Sequence, residues 1–266
     1  MCGVFIYLVL DFTLFIILIV FQNNPICDKI VLVICMIASL ENQKVKYLCK
    51  LNQSKYRKKE GMFIVEGKHL VDEAKKYGIL VEAFSINEVE GYTQLSIPVM
   101  NKICNTNTVV TEIGLCKMIE KKEISNKILI LDGVQDPGNM GALMRSACAF
   151  GFNTIVLGEG CVDIYNDKVI RSSQGAIFKL NFVNTNLVEF INNLTDYQIY
   201  GTDVVNGIEL DKVDLSAKIG VVLGNEGNGV SKAVKEILKR NIYIPMENTE
   251  SLNVSVAGGI IMYNFR

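Results

Sequence analysis

Residues 128–151 read ILILDGVQDPGNMGALMRSACAFG, and this stretch decides the fold. Ile128–Leu131 is a short, wholly apolar run closed by Asp132, the pattern of a buried strand. Pro137-Gly138 marks a turn. Asn139 then caps a helix through Met140–Phe150, and Gly151 stops it. The same alternation repeats downstream. Thr154–Leu157 is a strand, followed by Gly158, Gly160 and a helix around Asp167–Gly175. Ile199–Thr202 and Ile219–Leu223 are further strands, the second ending in GNEGNG, Gly224–Gly229. A cationic helix, SKAVKEILKR, follows. Ile242–Ile244 is a last strand broken by Pro245, Met246–Ser251 is a loop, and LNVSVAGGIIMYNF is the final helix. Strands that alternate with helices in this way build a mostly parallel sheet covered on both faces. Ligands of such α/β sheets sit at the C-terminal ends of the strands.

Three loops fall at those ends: Asp136–Arg145, Gly224–Gly229 and Met246–Asn253. Gly224, Gly227 and Gly229 permit positive φ and close approach of backbone to a ligand. GNEGNG is neither the dinucleotide fingerprint nor a P-loop, which disfavours a phosphate-cradling nucleotidase. Taken singly, Arg145 reads as a surface arginine and Glu226 as a helix-start glutamate favoured by the macrodipole. Asn253 and Ser255 read as caps. Their placement together on one edge of one sheet makes them a candidate site.

Upstream, a smaller α/β unit is legible. Met62–Glu66 is a strand, and Gly67 leads into KHLVDEAKKYG, whose Leu70, Val71 and Ala74 fall at helical spacing with Gly78 as the stop. Leu80–Ile86 is another strand, and Pro98–Met118 carries no clear period. Glu120–Lys127 is charged and is the best linker. In front lies Lys44–Lys59, with Lys44, Lys46, Lys50, Lys55, Arg57, Lys58 and Lys59 and no acid. Interleaved with Tyr47 and Tyr56, this run suits phosphate contacts, or it is a solvated helix face.

Composition narrows the class further. The 266 residues carry 27 basic and 28 acidic side chains, with a mean hydropathy of +0.28. The apolar excess is concentrated: 26 of the first 35 residues are hydrophobic, and only Asp11, Asp28 and Lys29 are charged there. Val4–Phe21 has the length and composition of a membrane span, but Asp11 sits at its middle, where a charge is costly. No basic residue precedes it, so the charged front of a signal peptide is missing. Residues 1–35 are therefore read as an upstream in-frame translation with Met36 as the working start, or as a membrane anchor. The 231 residues from Met36 have ordinary globular composition. The 8 cysteines show no C-x-x-C pair, and one histidine, His69, argues against a His-dependent triad or a His-ligated metal. No metal is expected, and scattered thiols fit a reducing, cytoplasmic setting.

The three loops together carry a resemblance. DGVQDPGNMGALMRSACAFG, IGVVLGNEGNGV and IPMENTESLNVSVA resemble, in order and spacing, the three motifs of the SpoU (TrmH-like) RNA ribose 2′-O-methyltransferases of the SPOUT superfamily. RKKEGMFIVEGKHLVDEA looks like the small substrate-binding domain of that family. The resemblance does not reach the hydrophobic segment 1–35, and after it implies a layout: a small α/β RNA-binding domain 36–119, a linker 120–127 and a methyltransferase domain 128–266. The last would be a mostly parallel α/β sheet with a trefoil knot, an exception to the rule that chains do not thread loops. S-adenosylmethionine would lie against Leu223, Gly224, Ile244, Met246, Leu252 and Asn253. Arg145 would act on the ribose hydroxyl, as base or as stabiliser of the alkoxide. Asn139, Glu226, Ser251 and Asn253 would complete the pocket. Lys44, Lys46, Lys55, Arg57, Lys58 and Lys59 would contact RNA. The resemblance further implies a homodimer and 23S ribosomal RNA as substrate, ahead of transfer RNA. A non-catalytic RNA-binding role in ribosome assembly is the competing reading.

Overall fold

The computed structural model describes residues 3–11, 14–22, 34–104, 109–120, 122–203, 207–213 and 218–266; side chains are described from Met36 onward. The chain divides into two compact units, Met1–Met118 and Ile119–Arg266.

The first unit begins with β1 (Gly3–Asp11), β2 (Leu14–Gln22) and β3 (Ile34–Ile37). The run considered above as a membrane span is thus a pair of antiparallel strands, Gly3 opposite Gln22 and Asp11 opposite Leu14. Among the described residues no helix is long and apolar enough to cross a membrane. Two short helices follow, α1 (Gln43–Lys50) and α2 (Ser54–Glu60), then β4 (Met62–Glu66), α3 (Lys68–Lys76) and β5 (Leu80–Ser85). β6 (Thr93–Leu95), α4 (Ile97–Ile103) and β7 (Glu112–Lys117) occupy most of the region that carried no clear period. The sheet order is β1-β2-β3-β6-β5-β7-β4, with mixed directions. β7 lies between β5 and β4, antiparallel to both, which is why it is apolar almost throughout instead of alternating. α1 and α4 share a core in which Val45, Leu48, Val99 and Met100 pack with Phe84.

The basic run is therefore two helices rather than one face, and its members diverge. Lys55, Lys58 and Lys59 are exposed. Lys44 pairs with Glu82, and Lys46 with Glu41 at 2.6 Å. Arg57 is 5 % exposed, and its guanidinium donates to the carbonyls of Leu51 at 2.9 Å and Asn52 at 2.8 Å. This corrects the assignment of Arg57 to the RNA-contacting set. The carbonyls at the end of α1 have no partner within the helix, and a planar fork with several N–H donors satisfies two of them at once. Burial follows from that task.

The second unit runs β8 (Lys127–Asp132), α5 (Pro137–Phe150), β9 (Thr154–Leu157), α6 (Asp167–Ser173), a 3₁₀ turn (Ala176–Lys179), β10 (Asn181–Asn184) and α7 (Leu187–Asn193). It continues with β11 (Gln198–Thr202), β12 (Ile208–Glu209), a second 3₁₀ turn (Leu210–Lys212), β13 (Ile219–Gly224), α8 (Lys232–Ile237), β14 (Asn241–Tyr243) and α9 (Val254–Asn264). The sheet is parallel at every pairing, in the order β10-β9-β8-β13-β11-β14-β12. Ile128, Ile130 and Val222 face α7 and α8, joining Leu187, Ile191 and Val234 in one core. Leu223, the next residue along β13, points the other way, where it and Leu143 of α5 close on Gly258 of α9. Side chains alternate across a strand, so both faces are covered and the central strands β8, β9 and β13 are apolar almost throughout.

One local reading is corrected here. α5 starts at Pro137, with Asp136 as the cap: the Asp136 carboxylate accepts from Asn139 N–H at 2.7 Å. Proline is pre-set for the first helical position and its missing N–H has no helical partner in any case. Pro137-Gly138 is thus the first helical turn, and the Asn139 side chain is released for another use. β10 and α7, absent from the reading above, are short and bounded by asparagines. The stretch read as a linker touches this unit: Lys122 N–H donates to Asn181 Oδ1 at 2.9 Å and Ser125 N–H to Thr154 Oγ1 at 3.0 Å.

Arg57→Ala should lower the unfolding free energy of the first unit by about 2 kcal/mol, because one buried and one half-buried carbonyl lose their donor. Urea titration against Lys58→Ala, an exposed neighbour expected to change little, checks this.

Candidate active site

The loops after β8, β13 and β14 meet at the C-terminal edge of the parallel sheet, and one chain of side-chain hydrogen bonds ties them together. Asn253 caps α9: its Oδ1 accepts from Ser255 N–H at 2.9 Å, Ser255 Oγ at 2.6 Å and Val256 N–H at 3.3 Å. With its oxygen committed to the helix, its amide NH₂ donates to Asn139 Oδ1 at 3.0 Å. That in turn directs the Asn139 NH₂ to Glu226 Oε1 at 3.1 Å. Asp136 N–H reaches the same carboxylate oxygen at 3.4 Å. An amide has a donor end and an acceptor end, so the polarity of the chain is set by the helix at one end and the carboxylate at the other.

The glycine loop has its own internal frame. Asn225 Oδ1 accepts from Gly227 N–H at 2.9 Å and Asn228 N–H at 3.0 Å, while its NH₂ donates to Gly133 O at 2.8 Å. Asn225 and Gly229 exchange backbone bonds at 3.0 and 2.9 Å, and Gly229 turns the chain at φ +67°. Ser231 N–H donates to Asp132 Oδ2 at 2.7 Å, fastening the start of α8 to the end of β8. A Cβ on Gly224 would lie 2.1 Å from Gly229 C and Val230 N, so only glycine fits there.

Beside this frame lies a cavity of about 550 Å³. Leu223, Gly224, Glu226, Ile244, Met246, Ser251, Leu252 and Asn253 all line it. These include every residue named above for the cofactor. Asn139 stands at the loop junction next to Glu226. Arg145, two turns into α5, is exposed, is not among the lining residues and makes no hydrogen bond or ion pair among the described residues. The sequence reading passed over Thr202, Ala257, Ile261 and Lys235, which also line the cavity, and the organising side chains of Asn225, Asp136 and Asp132. Asn225 and Asp136 carry a local signal, since Asn and Asp bond nearby backbone N–H groups in turns and caps. Lys235 carries none. Among the described residues no group of three His, Cys, Asp or Glu side chains is placed to hold a metal. Burial pushes the Cys161 thiol up, and the Cys116 thiol up to about 12, so both are poor nucleophiles.

Gly224→Ala should cost about 3 kcal/mol or more, because backbone atoms cannot move aside for a methyl group. Gly227→Ala, whose Cβ would meet only Asn225 Oδ1 at 3.6 Å, should stay within about 1 kcal/mol in the same thermal and urea unfolding measurements.

A profile of the SpoU rRNA Methylase family matches residues 126–263, and one of an MRM3-like substrate binding domain matches residues 42–113. The chain is 37 % identical over 245 residues, 86 % of its length and 98 % of the relative's, to the 23S rRNA (guanosine(2553)-2′-O)-methyltransferase RlmP of Bacillus subtilis (strain 168). It is 33 % identical over 73 % of its length, and 79 % of the relative's, to the 23S rRNA (guanosine-2′-O-)-methyltransferase RlmB of Coxiella burnetii. A solved RNA 2′-O ribose methyltransferase superposes with a TM-score of 0.72 at 26 % identity, covering 86 % of this chain and 97 % of that one. An AdoMet-bound rRNA methyltransferase from Sinorhizobium meliloti shares the fold, with a TM-score of 0.76 at 23 % identity over 87 % of this chain and 97 % of that one. A parallel sheet whose three C-terminal loops are tied beside one cavity, and a profile spanning those loops, lead to one conclusion: the chain belongs to the SpoU rRNA methylase family.

Proposed function

We propose that the chain transfers a methyl group from S-adenosylmethionine to the ribose 2′-hydroxyl of a guanosine in 23S ribosomal RNA. The observation that carries this reading is the Asn253–Asn139–Glu226 chain at the rim of a nucleoside-sized cavity. Small-molecule sites of about 300–1,000 Å³ are lined mainly by apolar groups with a few placed polar ones, and this cavity fits that description. Leu223, Ile244, Met246 and Leu252 supply apolar walls, and Gly224 brings backbone to the surface. These residues hold the adenosyl group. When bound, S-adenosylmethionine supplies an electrophilic methyl group on a positively charged sulfur.

A ribose hydroxyl is a weak nucleophile and needs alignment and help with its proton. A guanidinium stays protonated in proteins, so Arg145 orients the 2′-oxygen and stabilises its developing negative charge. An RNA phosphate oxygen is the proton acceptor. Glu226 and Asn139 hold the two loops at fixed separation, and Ser251 and Asn253 close the pocket.

Residues 36–119 form the RNA-binding domain, with Lys55, Lys58 and Lys59 as its exposed phosphate contacts and 120–127 as the linker. Lys44 and Lys46 join them by exchanging Glu82 and Glu41 for phosphate, since exposed ion pairs contribute only about 0–1 kcal/mol. The knot is part of the reading, supported by β14 lying between β11 and β12, strands that precede it in the chain. The site of action is the cytoplasm. The protein pairs as a homodimer through α9, where Val256, Ile260 and Tyr263 are 50 %, 40 % and 53 % exposed at helical spacing.

Two measurements test these points. Mapping 2′-O-methyl sites in ribosomal RNA with and without the gene should show one 23S guanosine that loses its methyl group. Arg145→Ala should fail to restore it, with at least about 100-fold slower methylation and unchanged folding. An unchanged ribosomal map moves the substrate to transfer RNA, or, if no RNA changes, to the non-catalytic reading. Separately, Val256→Glu with Ile260→Glu should halve the mass seen by sedimentation; a mass equal to wild type refutes the α9 interface.

A further inference from the structure

The charged lining of the cavity includes a cation with no role in the site described above. Its charged lining side chains are Asp203, Glu226 and Lys235, so Lys235 is the single cation among the described lining residues. Lys235 lies on α8, four residues past the cap Ser231. Its neighbour Lys232 is within 3.9 Å of Glu236. Lys235 itself is exposed and has no ion pair or side-chain hydrogen bond among the described residues. Glu226, by contrast, is engaged by Asn139 and Asp136.

A methyl donor built on adenosine and methionine presents three charges: a sulfonium, an ammonium and a carboxylate. The first two are positive and find no anion-seeking partner in a lysine. The carboxylate does. A cavity whose lining residues offer one cation receives an anionic group best beside it. An ammonium on a flexible stem needs no fixed angle to meet a carboxylate. We infer that Lys235 is a cofactor-positioning residue that pairs with the carboxylate of the methionine moiety and so anchors that end of the donor in the cavity. The inference rests on the cofactor reading above. It extends that reading by naming which side chain recognises the amino-acid half.

The test separates the two ends of the ligand. Calorimetry on the full chain compares S-adenosylhomocysteine, which keeps the carboxylate, with 5′-methylthioadenosine, which lacks the whole amino-acid half. Lys235→Gln should weaken S-adenosylhomocysteine about three- to tenfold, the range of a partly exposed charge-assisted contact. It should leave 5′-methylthioadenosine unchanged. Lys235→Arg should recover most of the loss, and the wild-type preference for S-adenosylhomocysteine should shrink as salt is raised. Equal weakening of both ligands, or of neither, overturns the inference. So does a variant whose only defect is in RNA affinity, because Lys235 is then a phosphate contact. If the wild-type chain binds neither compound, the cofactor reading itself fails and the inference falls with it.

Discussion

The site depends on the direction of one amide. The first N–H groups of α9 have no partners inside the helix, and Asn253 supplies an oxygen to two of them. That choice leaves its NH₂ facing Asn139, whose oxygen must accept, and whose own NH₂ must then face Glu226. Turning either amide over would set donor against donor and acceptor against acceptor. The helix end thus dictates, through two asparagines, where a carboxylate on a loop 87 residues away from Asn139 in sequence must sit. These hydrogen bonds give the three loops one mutual geometry.

Close packing supplies the stiffness behind that chain. Gly258 lets α9 approach until a Cβ there would stand 2.5 Å from Leu143 and 2.7 Å from Leu223. The wall of the cavity, the helix carrying Arg145 and the helix capped by Asn253 therefore meet at one point. Gly141 does the same between α5 and α6, where Ser172 Oγ donates to Pro137 O at 2.8 Å. The start of α5 is fixed from behind by that contact and from the front by Asp136.

In the first unit, like residues serve unlike ends. Arg57 and Lys58 are adjacent and both cationic, yet one is buried and closes α1 while the other is exposed. A guanidinium can satisfy two carbonyls from a buried position, whereas a lone ammonium is a compact, strongly hydrated charge. The positive field that faces solvent is accordingly carried by lysines.

The amino-acid sequence by itself determined the repeated strand–loop–helix order, because apolar runs of strand length punctuated by Gly, Pro and Asn leave few alternatives. Sheet geometry placed three loops at one edge, and the resemblance carried by their motifs named Leu223, Gly224, Ile244, Met246, Leu252 and Asn253, which share one cavity wall. The sequence could not distinguish Arg57 from its lysine neighbours, because burial is a property of what packs on top. It assigned the cap of α5 to Asn139 when Asp136 and Pro137 fill that role locally; only the folded chain shows Asn139 bonded to residues 87 and 114 positions away. β10 and α7 escaped notice because their short apolar runs gain stability from neighbours rather than from local pattern. Lys235 sits on a helix whose sequence reads as a solvated face. Only the tertiary structure sets it on the wall of the cavity, because α8 follows directly from the glycine loop that Gly229 turns and that closes against Gly224.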